Sequence, residues 1–110
     1  MLVVNRFVVG SADRVAFTDR AHTALAALAS RPGYLRGQLA RAYDEPDQWC
    51  LLTEWESVGA YRRALGAFDV KVQATPLLAE ALPEPSAYEV LANAEAAGTV
   101  VTHASDVSEP

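Results

Sequence analysis

The residues of this chain best suited to chemistry are uncharged. Asn5 interrupts the apolar run "LVVNRFVV" (Leu2 to Val9), and Thr53 and Trp55 end the run "QWCLLTEW" (Gln48 to Trp55). An asparagine amide offers two N–H donors and an indole offers one. Neither group titrates near neutral pH, so both suit the stabilisation of charge that develops during a reaction rather than the carriage of protons. Tyr61, six residues beyond Trp55, adds a phenol that can donate a hydrogen bond and stack. Titrating side chains offer less. The two histidines, His22 and His103, fall in the first helical stretch and in the C-terminal tail, and neither is placed as a general base. Cys50 alternates against Trp55 in its strand and reads as a small buried hydrophobe.

These side chains need elements to hold them. Leu2 to Val9 is β-branched and bounded by Gly10 and Ser11, which predicts a strand. Ser11 is placed to cap a long amphipathic helix over Ala12 to Ser30, with Phe17, Ala21, Ala24, Leu25 and Leu28 on one face. Arg31-Pro32-Gly33 stops that helix. "GYLRGQLARAY" then alternates weakly, with Leu35 and Leu39 on one parity, and predicts a second strand. A turn over Asp44 to Asp47 joins it to the third strand in an antiparallel hairpin. Ser57 caps a second helical region that divides near Gly66 and is interrupted by Pro76. Ser86 to Asn93 alternates and reads as a last strand.

The order strand–helix–strand–strand–helix–strand is the α+β, ferredoxin-like split βαβ arrangement, an antiparallel sheet with its helices on one face. We read residues 1–93 as this domain and 94–110 as a flexible tail. No element remains to cover the second sheet face, so a homodimer is expected, packed sheet to sheet. Within the first strand the two polar residues separate, because alternate side chains share a face. Asn5 goes with Val3, Phe7 and Val9, whereas Arg6 goes with Leu2, Val4 and Val8. In the third strand Trp49, Leu51, Thr53 and Trp55 share a face. If that face and the Asn5 face both meet the helices, Asn5, Thr53 and Trp55 line a hollow between sheet and helices. Alternation alone does not match the faces of the two strands.

Composition narrows the partners. The 110 residues suffice for one core, with 51% hydrophobic and 21% charged residues, an ordinary globular balance. A net charge of −5 argues against nucleic acid or an anionic membrane surface. One cysteine precludes an internal disulfide and a cysteine-based zinc site. No apolar run approaches a membrane span and no signal-peptide pattern opens the chain, so a cytoplasmic location is expected.

The stretches "VNRFVV", "RPGYLRGQLAR" and "TEWESVGAYRRAL" resemble the antibiotic biosynthesis monooxygenase family, over about Leu2 to Leu91. The resemblance implies a dimeric α+β barrel built from ferredoxin-like halves. The superfamily includes cofactor-free enzymes that oxidise anthrone-type polyketides to quinones, and haem-degrading enzymes. The haem-degrading branch resembles this chain at Asn5, but its tryptophan falls at Ala64 and its histidine ligand near Gln73, where "DVKVQATP" holds no histidine. The polyketide branch is similar at Asn5, Arg6, Phe7, Trp55 and Tyr61. It departs at Leu51, where some members carry asparagine, and at Ala40, where some carry histidine.

What the resemblance implies is a cofactor-independent monooxygenase acting on an aromatic polyketide of anthrone or naphthacenone type with O2. It would need no metal and no cofactor, because the substrate enolate reduces O2 itself. Asn5 and Trp55 would be catalytic. Tyr61, Thr53, Phe7, Leu51 and Arg36 would bind substrate, Arg36 by anchoring an acidic substituent. The alternative on the same scaffold is a polyketide cyclase or a binding protein without chemistry.

Overall fold

The computed structural model describes residues 1–107; the last three residues of the expected tail lie outside the described residues. β1 (Leu2–Val8) leads through a 3-10 turn at Ser11–Asp13 into α1 (Arg14–Ala29). Ser11, expected as the cap, lies inside that turn. The N-cap position passes to Asp13, whose side chain makes no capping bond. α1 buries Phe17, Ala21, Ala24 and Leu28, the face read from its spacing, with Leu25 at the margin.

β2 (Tyr34–Arg41) and β3 (Gln48–Trp55) form the expected antiparallel hairpin. It contains one irregularity that alternation did not foresee. Tyr34 pairs with Trp55 and Arg36 with Glu54, so Leu35 is the extra residue of a β-bulge. A bulge shifts parity by one. Leu35 and Leu39 therefore do not share a face: Leu39 pairs with inward Leu51, whereas Leu35 is the unpaired, exposed residue.

Ser57 caps α2 (Val58–Gly66), its hydroxyl accepting from the Ala60 amide at 3.0 Å. The chain breaks after Gly66, as expected, into α3 (Phe68–Gln73) and α4 (Thr75–Leu78), with Pro76 in the first turn of α4.

The last strand is shorter than expected. Residues 82–86 already run along the open edge of β1, with the Leu82 amide donating to the Arg6 carbonyl and the Val4 amide to the Ser86 carbonyl, both at 2.7 Å. β4 (Ala87–Tyr88) then reaches the end of β1, pairing with Val3 and Leu2, and has no further strand partner among the described residues. Beyond it the chain folds on itself: β5 (Ala92–Asn93) pairs with β6 (Val101–Thr102) in a separate ribbon.

The main sheet has the order β2-β3-β1-β4 with antiparallel neighbours, the α+β ferredoxin-like fold. Its inner face and the helices make one core that includes Val3, Phe7, Leu28, Leu51, Trp55, Val70 and Leu77. The outer face carries Leu2, Val4, Cys50 and Leu52, half-buried, and Val8, 60% exposed. Among the described residues no helix is long and apolar enough to cross a membrane.

Candidate functional site

The pairing of β1 with β3 decides which faces match. Val3 opposes Thr53, Asn5 opposes Leu51 and Phe7 opposes Trp49. Residues directly opposite across a ladder project to the same side. Asn5, Phe7, Leu51, Thr53 and Trp55 therefore share the inner face, beneath the helices. Arg36 is not with them. The bulge at Leu35 turns it to the outer face, where its guanidinium Nε lies 2.9 Å from Glu54 Oε2. Without the bulge it would follow the parity of Tyr34 inward. Arg6 also lies on the outer side, 3.8 Å from Glu84. Cys50 is its register partner there, with burial pushing the thiol pKa up.

Trp55 anchors one end of the inner row. It is fully buried, and its indole Nε1–H donates to Thr53 Oγ1 at 2.8 Å. The two residues are two apart on one strand and so lie on one face. Thr53 is itself buried. Its oxygen accepts the indole proton, which leaves its own O–H as the donor. Two tyrosines flank the indole. Tyr34 packs edge-on at a centroid distance of 5.3 Å and Tyr61 lies tilted at 5.4 Å. Burial pushes both phenol pKa values upward.

Local sequence explains both placements. Gly33 has φ +86°, and a Cβ there would overlap the Cβ of Ala60 in α2. Only glycine suits that conformation and that close approach. The Gly33 carbonyl accepts from the Glu56 amide at 2.8 Å, which ties the turn before β2 to the start of α2. Tyr34 leaves that turn directly onto Trp55, and the Ser57-capped α2 brings Tyr61 from the other side.

Asn5 belongs to the other part of the row. Trp55 exchanges backbone hydrogen bonds with Met1, at 2.8 and 3.0 Å, so Asn5 stands four residues along β1 from the residue opposite Trp55. At strand rise that is roughly 13 Å. The two expected catalytic residues thus share a face without converging on one atom. Asn5 is nonetheless distinctive. Val3 and Phe7, its neighbours on that face, are 0% and 2% exposed, whereas Asn5 is only half-buried. Among the described residues its amide makes no side-chain hydrogen bond, and it is absent from the buried polar atoms that lack partners, which are Arg14 Nε and Arg31 Nε. Its amide therefore keeps some contact with solvent. The same holds for the Tyr34 and Tyr61 hydroxyls.

Phe7 packs tilted against Phe17 at a centroid distance of 5.1 Å, and Phe17 packs edge-on to Trp49 at 5.6 Å. Phe7 and Phe17 line a cleft of about 340 Å³, with Arg20 and Glu80 at its rim. A second cleft of about 350 Å³ runs between α1 and α3–α4 on the other side of Arg20. A third, of about 1080 Å³, is open and lies between the C-terminal ribbon and the sheet; Trp55 and Arg36 border it. None of the three is lined by Asn5, Thr53 or Tyr61. His22 is exposed on α1, and His103 bonds to Asn93 in the ribbon. Among the described residues no three His, Cys, Asp or Glu side chains gather to hold a metal.

Sequence reasoning passed over Tyr34. Its signal was present in the Pro-Gly-Tyr turn, where an aromatic directly follows a glycine forced to positive φ. It was also present in Gly37, where the inward Cβ position is filled by the Tyr34 hydroxyl.

Residues 1–72 match the profile of the family described as antibiotic biosynthesis monooxygenase. Among solved structures, a variant of SnoaB, a cofactor-independent oxygenase from Streptomyces nogalater, is 31% identical with a TM-score of 0.63, covering 74% of this chain and 82% of that one. A conserved protein from Methanosarcina mazei Go1 is 19% identical with a TM-score of 0.64, covering 78% and 84% of the two chains. Rv0793 from Mycobacterium tuberculosis is 18% identical with a TM-score of 0.62 and covers 97% of both. The last two share the fold. Compared with curated protein sequences, the chain has no match.

Proposed function

This chain belongs to the antibiotic biosynthesis monooxygenase family, and from that premise we propose that it oxidises an aromatic polyketide of anthrone or naphthacenone type to a quinone with O2 and no cofactor. The observation that carries the reading is Asn5: an uncharged amide that makes no side-chain hydrogen bond among the described residues and is only half-buried on a mostly apolar inner face. The likeness to SnoaB supports it.

The reaction makes modest demands on the protein. Loss of a ring-methylene proton to water gives a delocalised enolate. That enolate reduces O2 and forms a C–O–O bond. The peroxide loses water, so one oxygen atom ends in the quinone carbonyl and the other in water. Asn5 donates an N–H to the enolate oxygen as its charge grows. Phe7 and Leu51 supply the apolar floor, and Tyr61 stacks on the ring system. Trp55 acts by position, since its N–H is committed to Thr53 and its ring sets the two tyrosines. Arg36, on the outer face at the margin of the open cleft and paired with Glu54, takes no part in this inner-face site.

A homodimer and a cytoplasmic location complete the reading. The dimer is supported by the outer face, where Leu2, Val4, Val8 and Leu52 form an apolar surface for a second copy. Sedimentation as a dimer is expected, and a monomer at all concentrations counts against it.

The test is dithranol in air with purified protein and no added flavin or metal. Quinone should form faster than in buffer, and Asn5→Ala should lower kcat roughly a hundredfold, the cost of one such donor. No acceleration with an anthrone or a tetracenone removes the oxygenase reading and leaves the cyclase or binding protein.

A further inference from the structure

We propose that the C-terminal ribbon is a clasp for a second copy of this chain: in the dimer each ribbon closes over the outer sheet face of its partner, with Leu91 and Val101 as its apolar contacts. The inference rests on the homodimer reading above and on no step of the oxygenase chemistry.

The ribbon is held only by bonds within itself. β5 pairs with β6, and the His103 amide donates to the Leu91 carbonyl at 2.8 Å. The Glu89 carboxylate accepts from the Ser105 hydroxyl and, at 3.0 Å, from the Asp106 amide. Among the described residues no hydrogen bond or ion pair ties residues 89–107 to residues 1–88. No side chain of this segment is buried, and only Val90 is half-buried. Leu91 and Val101 are 52% and 50% exposed. They project from one face of the ribbon, because Asn93 opposes Val101 and Leu91 lies two residues before Asn93. A two-stranded ribbon is marginal in water by itself and needs a surface to pack against.

Its own sheet does not supply that surface. The cleft of about 1080 Å³ separates the two, with Leu35, Arg36 and Glu54 on the sheet side and Asn93, Thr102 and His103 on the ribbon side. Arg36 and Glu54 stand on the outer face, and the ribbon starts just after Tyr88, which pairs with Leu2 of that same face. The gap therefore opens beside the sheet face that the helices leave uncovered, where Leu2, Val4 and Leu52 are half-buried and Val8 is exposed. A body that docks on this face meets the ribbon. A second copy is the occupant the chain itself supplies. Under a two-fold axis each copy presents both a bare apolar face and a bare ribbon, so one association covers both surfaces of both copies. Charge agrees with this. The described ribbon carries Glu89, Glu95 and Asp106 and no lysine or arginine, whereas the outer face exposes the side chains of Arg6 and Arg36.

The experiment is sedimentation of the full chain over a concentration series. It compares the unaltered protein, the ribbon variant Leu91→Gln with Val101→Thr, and the control Val15→Thr on the exposed side of α1. These substitutions leave the net charge alone. No ribbon side chain is buried, so the ribbon variant keeps its fold, which far-UV circular dichroism checks. Its dimer dissociation constant should rise by at least about tenfold, and that of the control should not change. Hydrogen exchange gives a second readout: the backbone amides of the ribbon should be protected in the dimer and lose that protection on dilution to monomer. A ribbon variant whose dimer constant stays within about twofold of the unaltered protein, or a control that loses as much, overturns the clasp and leaves the homodimer reading standing. Ribbon amides equally protected in monomer and dimer also overturn it, since the ribbon then packs on its own body. A monomer at every concentration removes the homodimer reading and the clasp together.

Discussion

Replacing Thr53 by Val tests whether the Trp55 anchor is held as the geometry indicates. The substitution keeps the β-branched shape and the strand propensity and removes only the acceptor of the indole proton. Trp55 is fully buried, and its Nε1 lies 2.8 Å from the Thr53 oxygen, so bulk solvent cannot take over as acceptor. A buried donor left without a partner costs about 1–3 kcal/mol. The extra methyl recovers part of this through apolar burial, at most about 0.8 kcal/mol. The net loss should be about 1–2 kcal/mol, which for a chain of this size lowers the melting temperature by roughly 5–12 °C. Urea unfolding followed by tryptophan fluorescence measures it, with Thr53→Ser retaining most of the stability. A double-mutant cycle with Trp55→Phe isolates the bond, because the threonine substitution should lose about 1 kcal/mol of its cost once the indole is gone. Thr53→Val melting within a degree of the unaltered protein, or a cycle with no coupling, would refute the reasoning and with it the account of Trp55 as a fixed anchor.

Two further outcomes follow from the packing around Tyr34 and Tyr61. Gly33→Ala should destabilise by about 2–4 kcal/mol, from the left-handed conformation and from overlap with Ala60 together; denaturant melts measure it, and Ala60→Gly in the same chain should return only the overlap share. The tyrosines make stability fall in alkali. Burial raises the pKa of both Tyr34 and Tyr61, so the folded state keeps protons that the unfolded chain releases near pH 10. Their contribution is therefore full below about pH 10 and is lost as pH rises through the folded-state values. Urea midpoints should decline from there, and less steeply in Tyr61→Phe; an unchanged slope in that variant would count against burial as the cause.

Much of this was legible in the chain alone. Strand and helix order followed from apolar period, and the order of elements allowed few folds other than the ferredoxin-like sheet. The separation of Asn5 from Arg6 needed only the period of two. Ser57 as a cap and the breaks near Gly66 and Pro76 followed from local backbone chemistry, which acts within a few residues and so can be read locally. What depended on contacts distant in sequence could not be read that way. The register of β1 on β3 decided that Asn5 shares a face with Thr53, and alternation is blind to register. One bulged residue, Leu35, sent Arg36 outward, because a single insertion inverts every later position of a strand. The short β4 reflects a β1 edge already occupied by residues 82–86. The commitment of the Trp55 N–H to Thr53, and the free hydroxyl of Tyr34 over Gly37, exist only once β2, β3 and the two helical regions meet. Composition and period determined which side chains share a face within a regular strand or helix. Tertiary packing decided which of their polar atoms are already satisfied, and those left open are the ones a ligand can use.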